Sequence, residues 1–235
     1  MRKAAFSFIV LALGALSTPA AARPPVIVEL FTAQGCSACI KANAQVAELA
    51  DEDGVLPLTF SVDYWDYLGW TDTYARPEFT DRQKAYAKRL GLREVYTPQV
   101  VVDGRHQAGG NQASKVEALV KQALHAPVDP PDMLFMENGK IAVGSALHPP
   151  RGGAEVWLVR YDPRKVEVEV RKGDNKGETV EERNVVRQLV RLGRWRGRAT
   201  AFRLPVADEE GLETVVLVQQ KDGGHLISAL KQAAK

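Results

Sequence analysis

The chain has 235 residues, 45% of them hydrophobic, with 31 Lys and Arg against 29 Asp and Glu. That length suits one large domain or two small ones around a proper apolar core. The near balance of charge supplies no basic surplus for nucleic acid and no acidic surplus for a cationic substrate.

Arg2 and Lys3 precede an apolar run over residues 4–16, and Ala20-Ala21-Ala22 offers a small-residue cleavage site before Arg23. This reads as a secretory signal over residues 1–22, because the apolar run falls short of the ~20 residues a spanning helix needs. Its removal takes away two basic residues and leaves the remainder neutral. No further membrane span is expected. The implied location is periplasmic or secreted, an oxidising compartment in which a disulfide persists.

Residues 26–31 are short, apolar and β-branched, and read as a buried strand that Gly35 breaks. A helix is expected to open at Cys36, with Ile40, Ala44, Ala47 and Leu49 on one face, and to end over residues 51–54. Residues 55–62 form a second strand and residues 77–91 a second helix, with Pro77 in its first turn and Gly91 past its end. Residues 99–102 form a third strand, Asp103-Gly104 a tight hairpin turn, and residues 105–108 the return strand. Ser114 is expected to cap a last helix through Leu124. Residues 127–132, Pro-Val-Asp-Pro-Pro-Asp, read as a linker.

Beyond the linker, strand-like runs cover residues 155–161, 165–171, 178–192, 199–204 and 213–219. Turn signals separate them, Asp162-Pro163 and the stretch 173–177 among them. Val166 to Val170 alternates strictly, as a half-buried strand does. Several strands at this spacing point to an antiparallel sandwich.

Both cysteines, Cys36 and Cys39, are spaced C-x-x-C just after the first strand. They pair with each other, bind a metal or remain thiols. The four histidines, His106, His125, His148 and His225, have no ligand-like spacing, and zinc usually takes four ligands. No metal or cofactor is therefore expected. At a helix start, unsatisfied N–H groups and the macrodipole stabilise a thiolate, lowering a thiol from about 8.5 to between about 3.5 and 7. Cys36 is then the nucleophile and Cys39, one turn further in, the resolving thiol.

Glu29 is an acid inside an apolar strand. It either exchanges the proton of Cys39 or faces solvent at a strand end. Thr97-Pro98 precedes the third strand, where a cis proline would present a backbone edge to a substrate peptide. The run 62–70 is dense in aromatics and acids. From it Asp63 and Tyr67 are expected to wall a substrate groove with Thr97, and Trp65 to join a satellite core. The arginines between Arg183 and Arg203 have no acid among them and read as solvated strand faces rather than a nucleic-acid patch.

The order β-α-β-α-β-β-α, with C-x-x-C at the first strand-to-helix junction, resembles the minimal thioredoxin-like arrangement. The expected fold is therefore α/β: a thioredoxin-like domain over residues 23–126, then a β-sandwich-like domain over 133–235. The motifs VELFTAQGCSAC, VDYWDYLGWTD, YTPQVVVDG and NKGETVEERNVVRQLVRLG resemble those of an uncharacterised family of secreted bacterial proteins with a thioredoxin-like domain. They cover most of the chain. That resemblance implies the thioredoxin fold and, by analogy, disulfide chemistry; it supplies no substrate. The first motif is also similar to the active-site strand of exported disulfide oxidoreductases, where an acid lies six positions before the first cysteine. Glu29 lies seven before.

The expected activity is thiol–disulfide exchange on protein or peptide cysteines, with a further redox partner to regenerate the centre. The alternative is a non-catalytic exported binding protein with a structural Cys36–Cys39 bridge.

Overall fold

The computed structural model describes residues 23–233, so the signal expected over residues 1–22 lies outside the described residues. The chain is α/β. An eight-stranded mixed sheet runs in the order β11-β10-β7-β8-β2-β1-β3-β4, and a three-stranded antiparallel sheet in the order β5-β6-β9.

The first half supplies β1 (Val26–Thr32), α1 (Cys39–Glu48), β2 (Val55–Ser61), α2 (Pro77–Arg89), β3 (Gln99–Val102), β4 (His106–Gly109) and α3 (Ala113–His125). β1 pairs in parallel with β2 and antiparallel with β3. Because side chains alternate across a strand, β1 serves two cores. Val26, Val28 and Leu30 meet Ala42 and Val46 of α1 and Val116 and Val120 of α3. Ile27 and Phe31 face Phe79 and Tyr86 of α2. The run is continuously apolar, Glu29 excepted, because both faces are covered.

Local expectations hold with small shifts. Asp103 and Gly104 have φ of 47° and 62°, as a two-residue hairpin turn requires. Pro77 stands in the first turn of α2. α1 starts at Cys39, not Cys36, because two successive turns, Cys36 N to Ala33 O and Cys39 N to Cys36 O, occupy the chain first. Ser114 does not cap α3: the helix starts one residue before it and has no side-chain cap.

The second half supplies β5 (Met133–Met136), β6 (Lys140–Val143), β7 (Ala154–Glu169), β8 (Thr179–Trp195), β9 (Thr200–Arg203), β10 (Glu213–Gln220) and β11 (Leu226–Lys231). The expected turn at Asp162-Pro163 is instead an irregularity within one long strand, where the β7–β8 register shifts between Asp162 and Lys165. A bulge accommodates a proline that cannot donate to the ladder.

Sequence reading places two bodies on either side of 127–132. That stretch has no regular structure, but the sheet runs through both halves. β8 lies beside β2 at Thr59–Val185. Thr59 Oγ1 donates to Arg183 O at 2.7 Å, and Asn184 Nδ2 to Pro57 O at 2.8 Å. Val159, Tyr161, Val186, Val215 and Leu217 of the second half join the Ile27–Phe31 core. The sandwich expectation survives locally: Ile141, Val143 and Phe202 of the small sheet pack on Val156, Leu158, Val216 and Val218 of the large one. The expected separate body does not, because the edge of β2 is where the long β7–β8 hairpin joins.

Candidate functional site

The site is built from the loops at the ends of β1 and β2. Between β1 and α1 the chain turns through Ala33 to Ala38, and Cys36 and Cys39 are joined in a disulfide. Both cysteines are buried, Cys36 at 1% and Cys39 at 0% exposure; Ser37 and Ala38 between them are exposed.

The bond Thr97-Pro98 is cis. Pro98 stands close to the start of α1: a Cβ added to Gly110 would lie 2.9 Å from Pro98 Cβ and 3.0 Å from Ala42 Cβ. Trp65 is partly buried against the first core and donates from Nε1 to Thr97 Oγ1 at 2.8 Å. Asp63 accepts from Thr80 Oγ1 of α2 at 2.6 Å, so its carboxylate ties the loop to a helix. Tyr67 projects into solvent at 82% exposure. Tyr64 is partly buried beside Gln83 and Thr97, and burial pushes its hydroxyl up to about 12.

Of the two expectations for Glu29, the solvent-facing one is overturned. It is fully buried, so it faces no solvent. Arg82 grips it from two sides, Nε to Oε2 at 2.6 Å and Nη2 to Oε1 at 2.9 Å, and Tyr86 donates to Oε1 at 2.6 Å. Gln219 of β10 closes the network onto Arg82 and Tyr86. Burial works against the Arg82 charge, but Glu29 and Tyr86 more than offset it and hold the guanidinium above its ordinary value. Both of its oxygens are committed to Arg82, so Glu29 ties β1 to α2 inside the core.

Another buried acid lies beside the C-x-x-C loop, one that sequence reading did not single out. Glu182 of β8 is 1% exposed, and neither carboxylate oxygen has a hydrogen-bond partner. It faces Gln34 and Ser61 without a bond of good geometry to either; Gln34 Nε2 and Ser61 Oγ are themselves buried and unpartnered. Burial, with Asp72 nearby, pushes Glu182 up to about 8. Asp72 accepts from Gln34 N at 2.7 Å, Tyr74 N at 2.9 Å and Ala75 N at 3.2 Å. Burial nonetheless raises Asp72 to about 6, and Asp66 adds to the rise.

Gln34, two residues before Cys36, gathers these parts. Its Oε1 accepts from Trp70 Nε1 and Thr73 N. Its carbonyl accepts from Asn175 Nδ2 at 2.7 Å. Asn175 is the buried residue of an otherwise exposed β7–β8 hairpin tip, residues 171–178. The tip thus lies against the segment that leads into Cys36.

The arginine run carries no patch of unpaired charge at its start: Arg183 pairs with Asp51, Arg187 with Glu209 and Arg191 with Glu155. Among the described residues, no three His, Cys, Asp or Glu side chains are grouped to hold a metal ion. Nor is any helix among them long and apolar enough to cross a membrane.

The model of a family described as "Protein of unknown function (DUF1223)" matches residues 27–219. The chain belongs to this DUF1223 family. The matched span takes in the C-x-x-C loop, the cis proline, the acid pair and the β7–β8 hairpin. Among solved structures, the chain is similar to an Agrobacterium tumefaciens protein whose X-ray structure was a structural-genomics target. The two are 27% identical with a TM-score of 0.73, over 92% of this chain and 97% of the other. No curated protein matches. The similarity over nearly the whole of both chains extends to both halves, so the second half is part of the family's architecture rather than an appendage.

Proposed function

We propose that this DUF1223 protein is an exported thiol–disulfide oxidoreductase of thioredoxin-like architecture, acting on protein or peptide cysteines. The observation that carries the reading is a lone Cys36–Cys39 bridge at the junction of β1 and α1, backed by Pro98 across Gly110. A substrate thiolate attacks Cys36 Sγ, and the bridging electron pair passes to Cys39 Sγ. A second substrate thiol then attacks the mixed disulfide, leaving the substrate oxidised and both cysteines reduced. The reverse sequence reduces a substrate disulfide. The reading requires export, and the signal-like sequence pattern over residues 1–22 supports it.

Because Cys36 is 1% exposed, attack by a substrate thiolate requires the loop around the bridge to open. The same burial favours a second reading, a binding protein with a structural bridge. Assaying insulin reduction and refolding of a scrambled disulfide protein separates them. Activity abolished by Cys36→Ser supports the first reading; no Cys36-dependent activity in either assay contradicts it.

A further inference from the structure

Glu29 of β1 is held by Arg82, whereas a second buried acid, Glu182 of β8, faces Gln34 beside the C-x-x-C loop. A carboxylate takes its charged form readily only where water, donors or a cation meet it. Glu182 has no cation against it, and only the neutral Gln34 and Ser61 side chains face it, neither in a hydrogen bond of good geometry, at 1% exposure. Asp72, by contrast, receives three backbone N–H groups. Two neighbouring buried carboxyl groups do not both ionise freely, because the second charge meets the first in a poorly screened environment. Asp72 is the member built to be charged and Glu182 the member built to hold a proton. Asp72 is fixed by Gln34 N, and Glu182 faces the Gln34 side chain; Gln34 is one residue removed from the Gly35-Cys36 step.

We propose that Glu182 and Asp72, neighbouring buried acids, together set the equilibrium between the bridged and the reduced states of Cys36 and Cys39, with Glu182 as a positioning residue whose charge opposes the thiolate. The proposal rests on the redox reading of the site, but it concerns the chemistry of the bridge itself and needs no substrate.

Reduction by glutathione balances as follows. One glutathione thiolate attacks Cys36 Sγ and the S–S pair passes to Cys39 Sγ. A second attacks the glutathione sulfur of the mixed disulfide, releasing glutathione disulfide and the Cys36 thiolate. The two protons of the glutathiones end on the cysteine sulfurs or on the acid pair, according to pH. A thiolate at Cys36 adds negative charge near the pair and so favours the proton on Glu182. By linkage, a charged Glu182 disfavours the thiolate to the same degree.

The other groups around Glu182 do not neutralise it. On the loop of residues 62–76, Asp66 adds negative charge behind Asp72, and Tyr74 feels Glu182, Asp162 and Arg187. Arg187 lies over the Tyr74 ring, 4.6 Å from its centroid, and is paired with Glu209. On β8 itself, Glu181 pairs with Lys165 and Arg183 with Asp51. Ser61 of β2 contributes a neutral hydroxyl. Opposite Glu182 on β7 stands Val166.

The test is the equilibrium between the full chain and glutathione, read by thiol alkylation and mass from about pH 6 to about pH 9.5. Wild type and Glu182→Gln are compared. At the acid end both carry a neutral group, and the two equilibrium constants should agree. At the alkaline end Glu182→Gln should be reduced more readily by about tenfold, which is about 30 mV for a two-electron couple. Glu182→Asp, which keeps the carboxyl, should retain the wild-type pH dependence in direction. A ratio of variant to wild type that is the same at both ends overturns the proposal. Should Glu182→Gln fail to fold, the wild-type difference in thermal stability between oxidised and reduced protein carries the same linkage. A difference that follows only the ionisation of the two thiols would then overturn the proposal. The oxidoreductase reading fails on a different result: a pH-coupled bridge with no Cys36-dependent turnover sinks that reading and leaves this inference standing.

Discussion

Two buried carboxylates sit in this fold in opposite circumstances. Glu29, in the middle of β1, has a bidentate arginine and a tyrosine hydroxyl on its oxygens, and Gln219 completes the shell from the far half of the chain. Glu182, in β8 near the C-x-x-C loop, has no cation and no hydrogen bond of good geometry on either oxygen. Both are essentially inaccessible to solvent. The difference shows how a buried acid divides between structure and chemistry. A fully satisfied carboxylate holds elements together, whereas a buried one without good partners is poised to change state.

The comparison breaks most forcefully at Glu29. Arg82→Met strands a buried carboxylate, and Glu29→Gln strands a buried guanidinium. Either should cost about 3–5 kcal/mol in urea unfolding. Glu182→Gln removes an unpaired buried acid and should leave the protein as stable or more stable at neutral pH. Equal losses at both sites would erase the distinction between them.

The pH dependence of stability sharpens it. Glu182 lies near 8 in the fold because burial raises it, above an unfolded value of about 4.3. A group that binds its proton more tightly when folded contributes stability that is full below the unfolded value and lost as pH rises through the folded one. Oxidised wild type should therefore lose thermal stability between about pH 5 and about pH 9, and Glu182→Gln should lose less. Asp72, raised to about 6, adds to the early part of the same decline.

Glu29 also joins the two halves of the chain, since its network spans β1, α2 and β10. Limited proteolysis between Val128 and Asp132 should consequently nick the chain without releasing two folded fragments. Separable folded pieces would show that the shared core contributes little. At the sheet junction, Asn184→Ala removes the donor to Pro57 O and should cost about 1–2 kcal/mol. The smallest effect on stability is expected at the hairpin tip. Asn175→Ala removes one hydrogen bond to Gln34 O, yet it should speed reduction of the bridge by dithiothreitol, because it loosens the segment that leads into Cys36. An unchanged rate would mean the tip does not limit access.

Much of this was legible in the residues. The two-sided β1 run, the Asp103-Gly104 turn, the start of α2 at Pro77 and the C-x-x-C at the end of β1 follow from local pattern. What local pattern lacks is partnership across distance. Nothing near Glu29 in sequence announces Arg82, 53 positions away, so a satisfied ion pair reads the same as a free acid. The union of β8 with β2 rests on one bridge and two side-chain bonds, which no strand periodicity encodes. Glu182 did leave a signal. In the run from Thr179 to Asn184, Val180, Glu182 and Asn184 share the buried face, so the alternation that marks the strand also places an acid inside. Asp72 closes the motif VDYWDYLGWTD, and Asn175 and Glu182 fall within NKGETVEERNVVRQLVRLG. These motifs carry the family resemblance, but no role for these residues can be read from them.

The measurement that bears most directly on the central claim is the reduction potential of the Cys36–Cys39 bridge in the full chain, obtained by equilibration with glutathione at neutral pH. A redox centre working by thiol exchange should lie above about −300 mV, within reach of a thiol pool. A value well below that would mark the bridge as a structural staple and contradict the account.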